Sequence, residues 1–212
     1  MLMAKFRSSL SGLRETTMSL TPYQQEAFGV FATRLYEPAK CASIVARVKG
    51  QDEWEAAQVV VDSGGRSRDM TLPETRAART LNRLQAVATY HEFEERVRFV
   101  VNPILRKIWG VDLPRQEGTQ IVRYSPGGHY IPHKDADESE LADRYFTVLC
   151  YLNDSFEGGK TSFTSLNFTA TPAPGKTLVF PSRYLHCAEP VTRGEKFVFV
   201  TWLCGPLPIK WI

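Results

Sequence analysis

The chain is 212 residues long, 43% hydrophobic and 23% charged, with a net charge of +3. That is enough apolar material for one folded domain and too much for a disordered tail. The charge is too small and too evenly spread for nucleic acid, and no apolar run reaches the length of a membrane span, so neither is an expected partner.

Taken in chain order, the first stretch, "MLMAKFRSSLSGLRETTM", is basic and Ser-rich but lacks the continuous apolar core of a secretory signal. Residues 1–20 are expected to be an extension outside the domain. Leu2, Phe6, Leu10 and Leu13 can share one helical stripe, so a transit peptide is the competing reading. Residues 28–36 fit either a capped helix or a strand. Residues 38–49 place Cys41, Ile44, Val45 and Val48 on one helical face, with Pro38 suited to the first turn. "WEAAQVVVDSGGRSRDMTLPE" reads as a strand followed by a long polar loop. The spacing predicts helices over 75–91 (Leu81, Leu84, Ala88, His91) and 93–109 (Phe93, Val97, Val101, Ile104, Ile108), the latter bent at Pro103 and ending at Gly110. Arg76, Arg79 and Arg83 then fall on a solvated helix face, and His91 at the edge of the core.

From about residue 117 the helical period stops. Short apolar runs separated by Gly, Pro, Asn and Asp follow, the pattern of an all-β sandwich or barrel. "RYFTVLCYLN" is apolar on both alternate faces, which predicts a strand covered on both sides. The expected architecture is α+β: a β-sandwich backed by N-terminal helices, with helical support over about 21–116 and the catalytic core over about 117–212 of one domain spanning 21–212. The four cysteines, Cys41, Cys150, Cys187 and Cys204, show no CxxC pairing and have apolar neighbours. They predict buried, reduced thiols in a cytoplasmic protein.

The chemistry concentrates in "GGHYIPHKDAD", residues 127–137, which holds two of the four histidines. If "HKD" is extended, His133 and Asp135 point to the same face. His186, where an apolar strand meets a turn, is the leading third donor. Imidazole and carboxylate together suit Fe(II), Zn or Mn, and two His and one carboxylate on one face leave three adjacent positions open, as in non-haem Fe(II) sites. Lys196 shares its strand face with Val198, Val200 and Trp202. A lysine there is costly unless paired, and a ligand carboxylate could pair with it. A dicarboxylate such as 2-oxoglutarate could chelate iron at one end and meet Lys196 at the other. His129 reads as a loop residue near the cleft rather than a fourth ligand. Arg66 and Arg68, in "SGGRSRDM", read equally as a solvated loop or as a lid meeting a substrate carboxylate.

These residues bring a family into view. Residues 119–204 resemble the catalytic domain of the Fe(II)/2-oxoglutarate dioxygenases, in the prolyl 4-hydroxylase-like branch. The resemblance rests on Tyr124, "SPGG", Tyr130-Ile-Pro-His133-Lys-Asp135, Tyr151-Leu-Asn153, Gly158-Gly-Lys-Thr161-Ser-Phe163, His186, Pro190-Val191, Lys196 and Trp202, in that order. It implies a double-stranded β-helix (jelly roll) holding Fe(II) through His133, Asp135 and His186. Lys196 would bind the distal carboxylate of 2-oxoglutarate, helped by Thr161 and by Tyr124 or Tyr151. O2 would be the oxidant, succinate and CO2 the by-products, and ascorbate a stimulant of turnover. The carboxylate at 135 argues for hydroxylation, desaturation or cyclisation and against halogenation. Arg66, Arg68, Tyr130 and Trp202 are the expected substrate contacts.

The lack of an added peptide-binding module points to an amino-acid-like small molecule. The alternatives are a peptidyl-prolyl hydroxylase, with an open groove around Arg66, and a non-catalytic iron and 2-oxoglutarate sensor. A metallo-hydrolase would leave Lys196 unexplained. The tail "CGPLPIKWI" could close the core or contact a second subunit, so monomer and homodimer are both expected forms.

Overall fold

The computed structural model describes residues 22–62, 67–113, 115–136 and 141–205. The extension 1–20, Arg66 and the tail beyond Gly205 lie outside the described residues.

Strands β1 (Tyr23–Ala27) and β2 (Val30–Arg34) lead into helix α1 (Pro38–Lys49). Next come β3 (Trp54–Ala56), β4 (Val59–Asp62), β5 (Ser67–Met70), β6 (Arg76–Ala77) and β7 (Arg79–Leu81). A helical stretch follows: α2 (Val87–Arg96), a π-turn over Val97–Val101 and α3 (Asn102–Trp109). The remaining strands are β8 (Arg115–Tyr124), β9 (His129–His133), β10 (Arg144–Tyr151), β11 (Phe156–Gly158), β12 (Thr161–Phe163), β13 (Phe168–Ala170), β14 (Lys176–Pro181), β15 (His186–Ala188), β16 (Val191–Gly194) and β17 (Lys196–Cys204).

Eight strands form the major sheet, in the order β1-β2-β14-β10-β17-β8-β7-β3, and five form the minor sheet, β13-β12-β15-β9-β6. Two separate two-stranded antiparallel pairs, the β4-β5 hairpin and β11-β16, complete the described strands. As its two apolar faces predict, β10 is buried almost throughout. Phe146, Val148, Cys150 and Leu152 pack toward the helices, where Phe93 stacks on Phe199 at 4.2 Å. Leu149 and Tyr151 pack toward the minor sheet, against Phe163 and Ala170. The second core layer therefore lies between the sheets, and its open end is where the chemistry-bearing side chains gather.

Helix α1 matches the sequence reading, with Cys41, Ile44 and Val48 buried and Pro38 in the first turn. Residues 28–36 resolve largely as strand. Phe28 and Gly29 form the two-residue turn of the β1-β2 hairpin, and Gly29 takes φ +68°, a left-handed conformation that glycine adopts without a Cβ clash. The long polar loop is in part a hairpin, since β5 pairs with β4 from Val59↔Met70 to Asp62↔Ser67. Its return strand is polar, so no apolar alternation announces it.

The predicted helix over 75–91 is wrong over most of its length. Residues 76–77 and 79–81 are strands, and α2 begins at Val87. Of the expected face only Leu81 is buried, in β7; Leu84 is 81% accessible, and Ala88 and His91 are exposed. Tyr90 and Phe93 are buried instead. His91 is thus not at the edge of the core. Arg76, expected in solvent, is buried in β6, whereas Arg79 and Arg83 are exposed. Three arginines at helical spacing imitate an amphipathic helix, but pairing of β6 with β9 and of β7 with β8 wins. The helix expected over 93–109 starts earlier and widens ahead of Pro103. Proline supplies no N–H and its ring crowds the carbonyl one turn back, which a π-turn relieves. Gly110, at φ +65°, ends α3 as predicted.

One glycine joins the two halves of the fold. Gly175 has φ +79°, and a Cβ there would strike the Tyr36 carbonyl. Gly175→Ala is expected to cost about 1–3 kcal/mol through the backbone conformation alone, measured as a lowered denaturation midpoint.

Candidate functional site

The pairing of β9 with β15 sets His133 directly opposite His186. Asp135 lies just past the end of β9, where its backbone N–H and that of Ala136 both donate to the Ser182 carbonyl. This anchor turns Asp135 back toward the two imidazoles. His133 Nε2 lies 3.4 Å from Asp135 Oδ1 and His186 Nε2 lies 3.5 Å from Asp135 Oδ2. One donor atom from each residue falls within 4.8 Å of the others.

The outer contacts fix which atoms face inward. His133 Nδ1 donates to the Ile131 carbonyl at 2.8 Å and His186 Nδ1 to the Tyr184 carbonyl at 2.9 Å. In the neutral form each imidazole therefore carries its proton on Nδ1 and turns an Nε2 lone pair inward. The Thr147 hydroxyl donates to Asp135 Oδ2 at 2.7 Å, which leaves Oδ1 facing His133 Nε2. Burial lowers the pKa of His186 to about 4, so it is neutral at pH 7. Burial alone would raise the Asp135 carboxyl, but His186 and His133 in their protonated forms, together with the Thr147 hydroxyl, outweigh it and hold the group below the usual carboxylate range. Two neutral nitrogens and one carboxylate oxygen fit a divalent metal such as Fe(II). Removing an outer partner loosens a ligand. Thr147→Val is therefore expected to weaken metal affinity about 10- to 100-fold, measured by anaerobic titration with Fe(II).

A cavity of about 280 Å³ opens beside the three residues. At one side stands Lys196, 1% exposed, with its ammonium donating to the Gly159 carbonyl at 2.7 Å. Its nitrogen lies 4.9 Å from the Tyr124 ring centroid and 5.6 Å from that of Tyr151. Burial drops its pKa to about 7, because the charged form loses its water. Thr161 and Tyr124 line the cavity. The Tyr151 hydroxyl donates to Thr161 Oγ1 at 2.7 Å, so Tyr151 orients Thr161 while Tyr124 faces the open space.

On the other side, the Tyr130 ring stacks on His133 at 3.4 Å. Trp202 lines the wall beneath the Arg144 guanidinium, 3.9 Å above its ring, and Arg144 is held by Glu117 at 2.7 Å. Of the two arginines expected at the substrate, Arg68 is exposed on β5, and its neighbour Asp69 lines the cavity instead. His129 sits at the start of β9 with its ring nitrogens against the Gly127 and Glu74 carbonyls, outside the cluster, as expected.

Arg76, Arg144 and Thr147 line the cavity and were not anticipated. A signal existed for Thr147, a hydroxyl inside an otherwise apolar strand. None existed for Arg76, since its helical spacing pointed elsewhere.

Comparison with known proteins agrees with this arrangement. Residues 119–204 match the 2OG-Fe(II) oxygenase superfamily. A PKHD-type hydroxylase of Sphingopyxis alaskensis is 36% identical over 96 residues, covering 42% of this chain and 44% of that protein. The prolyl 4-hydroxylase subunit alpha-1 of Caenorhabditis elegans is 30% identical over 139 residues, 57% of this chain and 25% of that one. The chain thus spans less than half of these relatives' own lengths. In solved structures, the viral collagen prolyl hydroxylase of Paramecium Bursaria Chlorella virus-1 shares the fold with a TM-score of 0.58 at 20% identity, over 84% of this chain and 96% of that one. A Pseudomonas putida prolyl-4-hydroxylase gives a TM-score of 0.61 at 16% identity, over 84% and 93%. Residues 119–204 are thus similar to the 2OG-Fe(II) oxygenase superfamily, with prolyl 4-hydroxylases among the similar proteins, and the cofactors of that superfamily are Fe(II), 2-oxoglutarate and O2.

Proposed function

We propose that the protein is an Fe(II)- and 2-oxoglutarate-dependent hydroxylase in which His133, Asp135 and His186 hold the iron. The observation that carries this is the convergence of two inward Nε2 lone pairs and a carboxylate oxygen at the mouth of a cavity that also holds a buried lysine without an ion-pair partner among the described residues. When bound, the iron supplies the site at which O2 is reduced as 2-oxoglutarate is decarboxylated. The chain's residues do the rest. Lys196 receives the distal carboxylate of 2-oxoglutarate, with Thr161 and Tyr124 beside it. Tyr130 and Trp202 give the substrate an aromatic wall. The apolar side chains between the sheets, Leu149 and Val198 among them, exclude water from that end. The two facing sheets support a double-stranded β-helix as the architecture.

For the substrate, the relatives' names favour a peptidyl-prolyl target over the amino-acid-like small molecule expected from the chain's compactness. The sensor alternative finds less support, because a chain without turnover has no need of the triad together with Lys196.

The test begins anaerobically. Fe(II) and then 2-oxoglutarate are added to metal-free protein, and the visible charge-transfer band of the chelate is followed. Oxygen is then admitted and succinate measured. A band followed by succinate is the expected result. Folded protein that shows no band would sink the assignment, and a band without succinate under any substrate tried would favour the sensor.

A further inference from the structure

Arg76 is the cavity cation for which this function has no use. It is 7% exposed and lines the cavity. Its two terminal nitrogens donate to the Gln58 carbonyl and to Gln120 Oε1, both at 2.9 Å. Among the described residues its Nε has no hydrogen-bond partner, and the guanidinium lies against the neutral Tyr124 phenol. Among the described residues no carboxylate forms an ion pair with it. Its guanidinium carbon lies 5.0 Å from the centroid of the Tyr130 ring, the ring that stacks on His133, so Arg76 stands one aromatic ring away from the candidate metal ligands. A second buried donor of the same cavity, Trp202 Nε1, also lacks an acceptor among the described residues.

Of the other charges lining the cavity, Asp69 and Lys134 are exposed to water, and the less exposed ones are accounted for. Arg144 is held by Glu117. On the proposed function, the charge of Lys196 is met by 2-oxoglutarate and that of Asp135 by iron. Arg76 is then a desolvated cation seated on neutral oxygens, and such a cation is costly until an anion reaches it. We infer that Arg76 is the seat of a substrate carboxylate, so that the substrate carries an acid within one residue's reach of the carbon that is oxidised. The inference rests on the proposed function and narrows it. Two sources share this chemistry: the α-carboxylate of a free or C-terminal residue, and an acidic side chain flanking an internal prolyl residue.

The experiment is calorimetry on the anaerobic protein loaded with Fe(II) and 2-oxoglutarate, so that binding is read without turnover. The probes are N-acetyl-L-proline and N-acetyl-L-prolinamide for the first source. For the second they are acetylated, amidated Asp-Pro-Ala, Ala-Pro-Asp and Ala-Pro-Ala. The expected result is tighter binding of the acid member of one set by about 10- to 100-fold, the scale of a charge-assisted hydrogen bond. That ratio is expected to collapse toward unity in Arg76→Gln and to survive in part in Arg76→Lys. The ratio is internal to each variant, so a merely structural role for Arg76 would weaken both members and leave it unchanged. Equal affinity for acid and neutral probes in the wild type, no detectable binding of any acid probe, or a ratio unaltered in Arg76→Gln would overturn the inference. So would an Arg76→Gln variant that loses only 2-oxoglutarate affinity. Failure of the chelate band to form before any probe is added marks failure of the underlying function instead.

Discussion

Replacing Lys196 with methionine is expected to weaken 2-oxoglutarate binding about 30- to 1,000-fold while making the ligand-free protein more stable. The two effects have one cause. The ammonium is 1% exposed, with the Gly159 carbonyl as its hydrogen-bond partner. Keeping a cation there costs folding energy, and a same-sized apolar side chain removes that cost, with a gain of about 1–4 kcal/mol. Loss of the cation leaves a ligand carboxylate buried and unpaired, which costs about 2–4 kcal/mol of affinity. The pH dependence separates this account from simple repacking. Burial lowers the folded-state pKa to about 7, against about 10.4 for an unfolded lysine. Between these values the unfolded chain binds more protons, so wild-type stability rises with pH across that window. The advantage of Lys196→Met is therefore largest below about pH 7 and fades toward about pH 10. Binding of 2-oxoglutarate shows the complementary trend. Above about pH 7 the free lysine must take up a proton to bind, so affinity falls as pH rises. Melting midpoints across pH, and calorimetry in buffers of differing ionisation enthalpy, check both. A variant less stable than wild type at about pH 6, or ligand binding without proton uptake at about pH 8, would defeat the account.

Much of this site was legible in the chain because its parts are local. His133 and Asp135 are two apart, and a lysine on an apolar strand face contradicts its surroundings whatever the fold. The exact strand was less important than expected: Asp135 lies beyond β9 and is turned inward by the backbone bonds to the Ser182 carbonyl, not by strand alternation. β10 was legible for a similar reason, since an unbroken apolar run can only be covered on both faces. The errors fall where pairing partners are distant. Arg76 belongs to a two-residue strand that exists because β9 lies beside it. Nothing within residues 75–91 encodes that neighbour, and the arginine spacing favoured a helix. The same error placed Leu84, Ala88 and His91 inside and hid a buried arginine of the cavity. The polar strand β5 escaped notice because its partner β4 supplies the apolar residues of that pair.

Asp135→Asn is expected to abolish high-affinity Fe(II) binding, by at least about 100-fold, while leaving the fold intact. The isosteric change is the informative one. An asparagine at this position would keep an oxygen to accept from the Thr147 hydroxyl and keep the backbone bond to Ser182, the contacts that hold the side chain in place. What is lost is the only negative charge among three donors, since both histidines present neutral nitrogens. A divalent cation drawn from water into a site this enclosed needs that charge. A lost outer partner alone costs about 10- to 100-fold, so loss of the charged ligand should exceed it. Asp135→Ala makes the contrast. It removes charge and oxygen together and leaves the Thr147 hydroxyl with Ser182 Oγ, at 3.0 Å, so it should lose both metal affinity and some stability. Anaerobic Fe(II) titration and thermal melts of the metal-free proteins separate the two. If the asparagine variant bound iron as tightly as the wild type, charge would not be what fixes the metal here. If Asp135→Asn and Asp135→Ala destabilised the metal-free fold equally, the Thr147 contact would be a bystander rather than the brace that points the carboxylate at the metal.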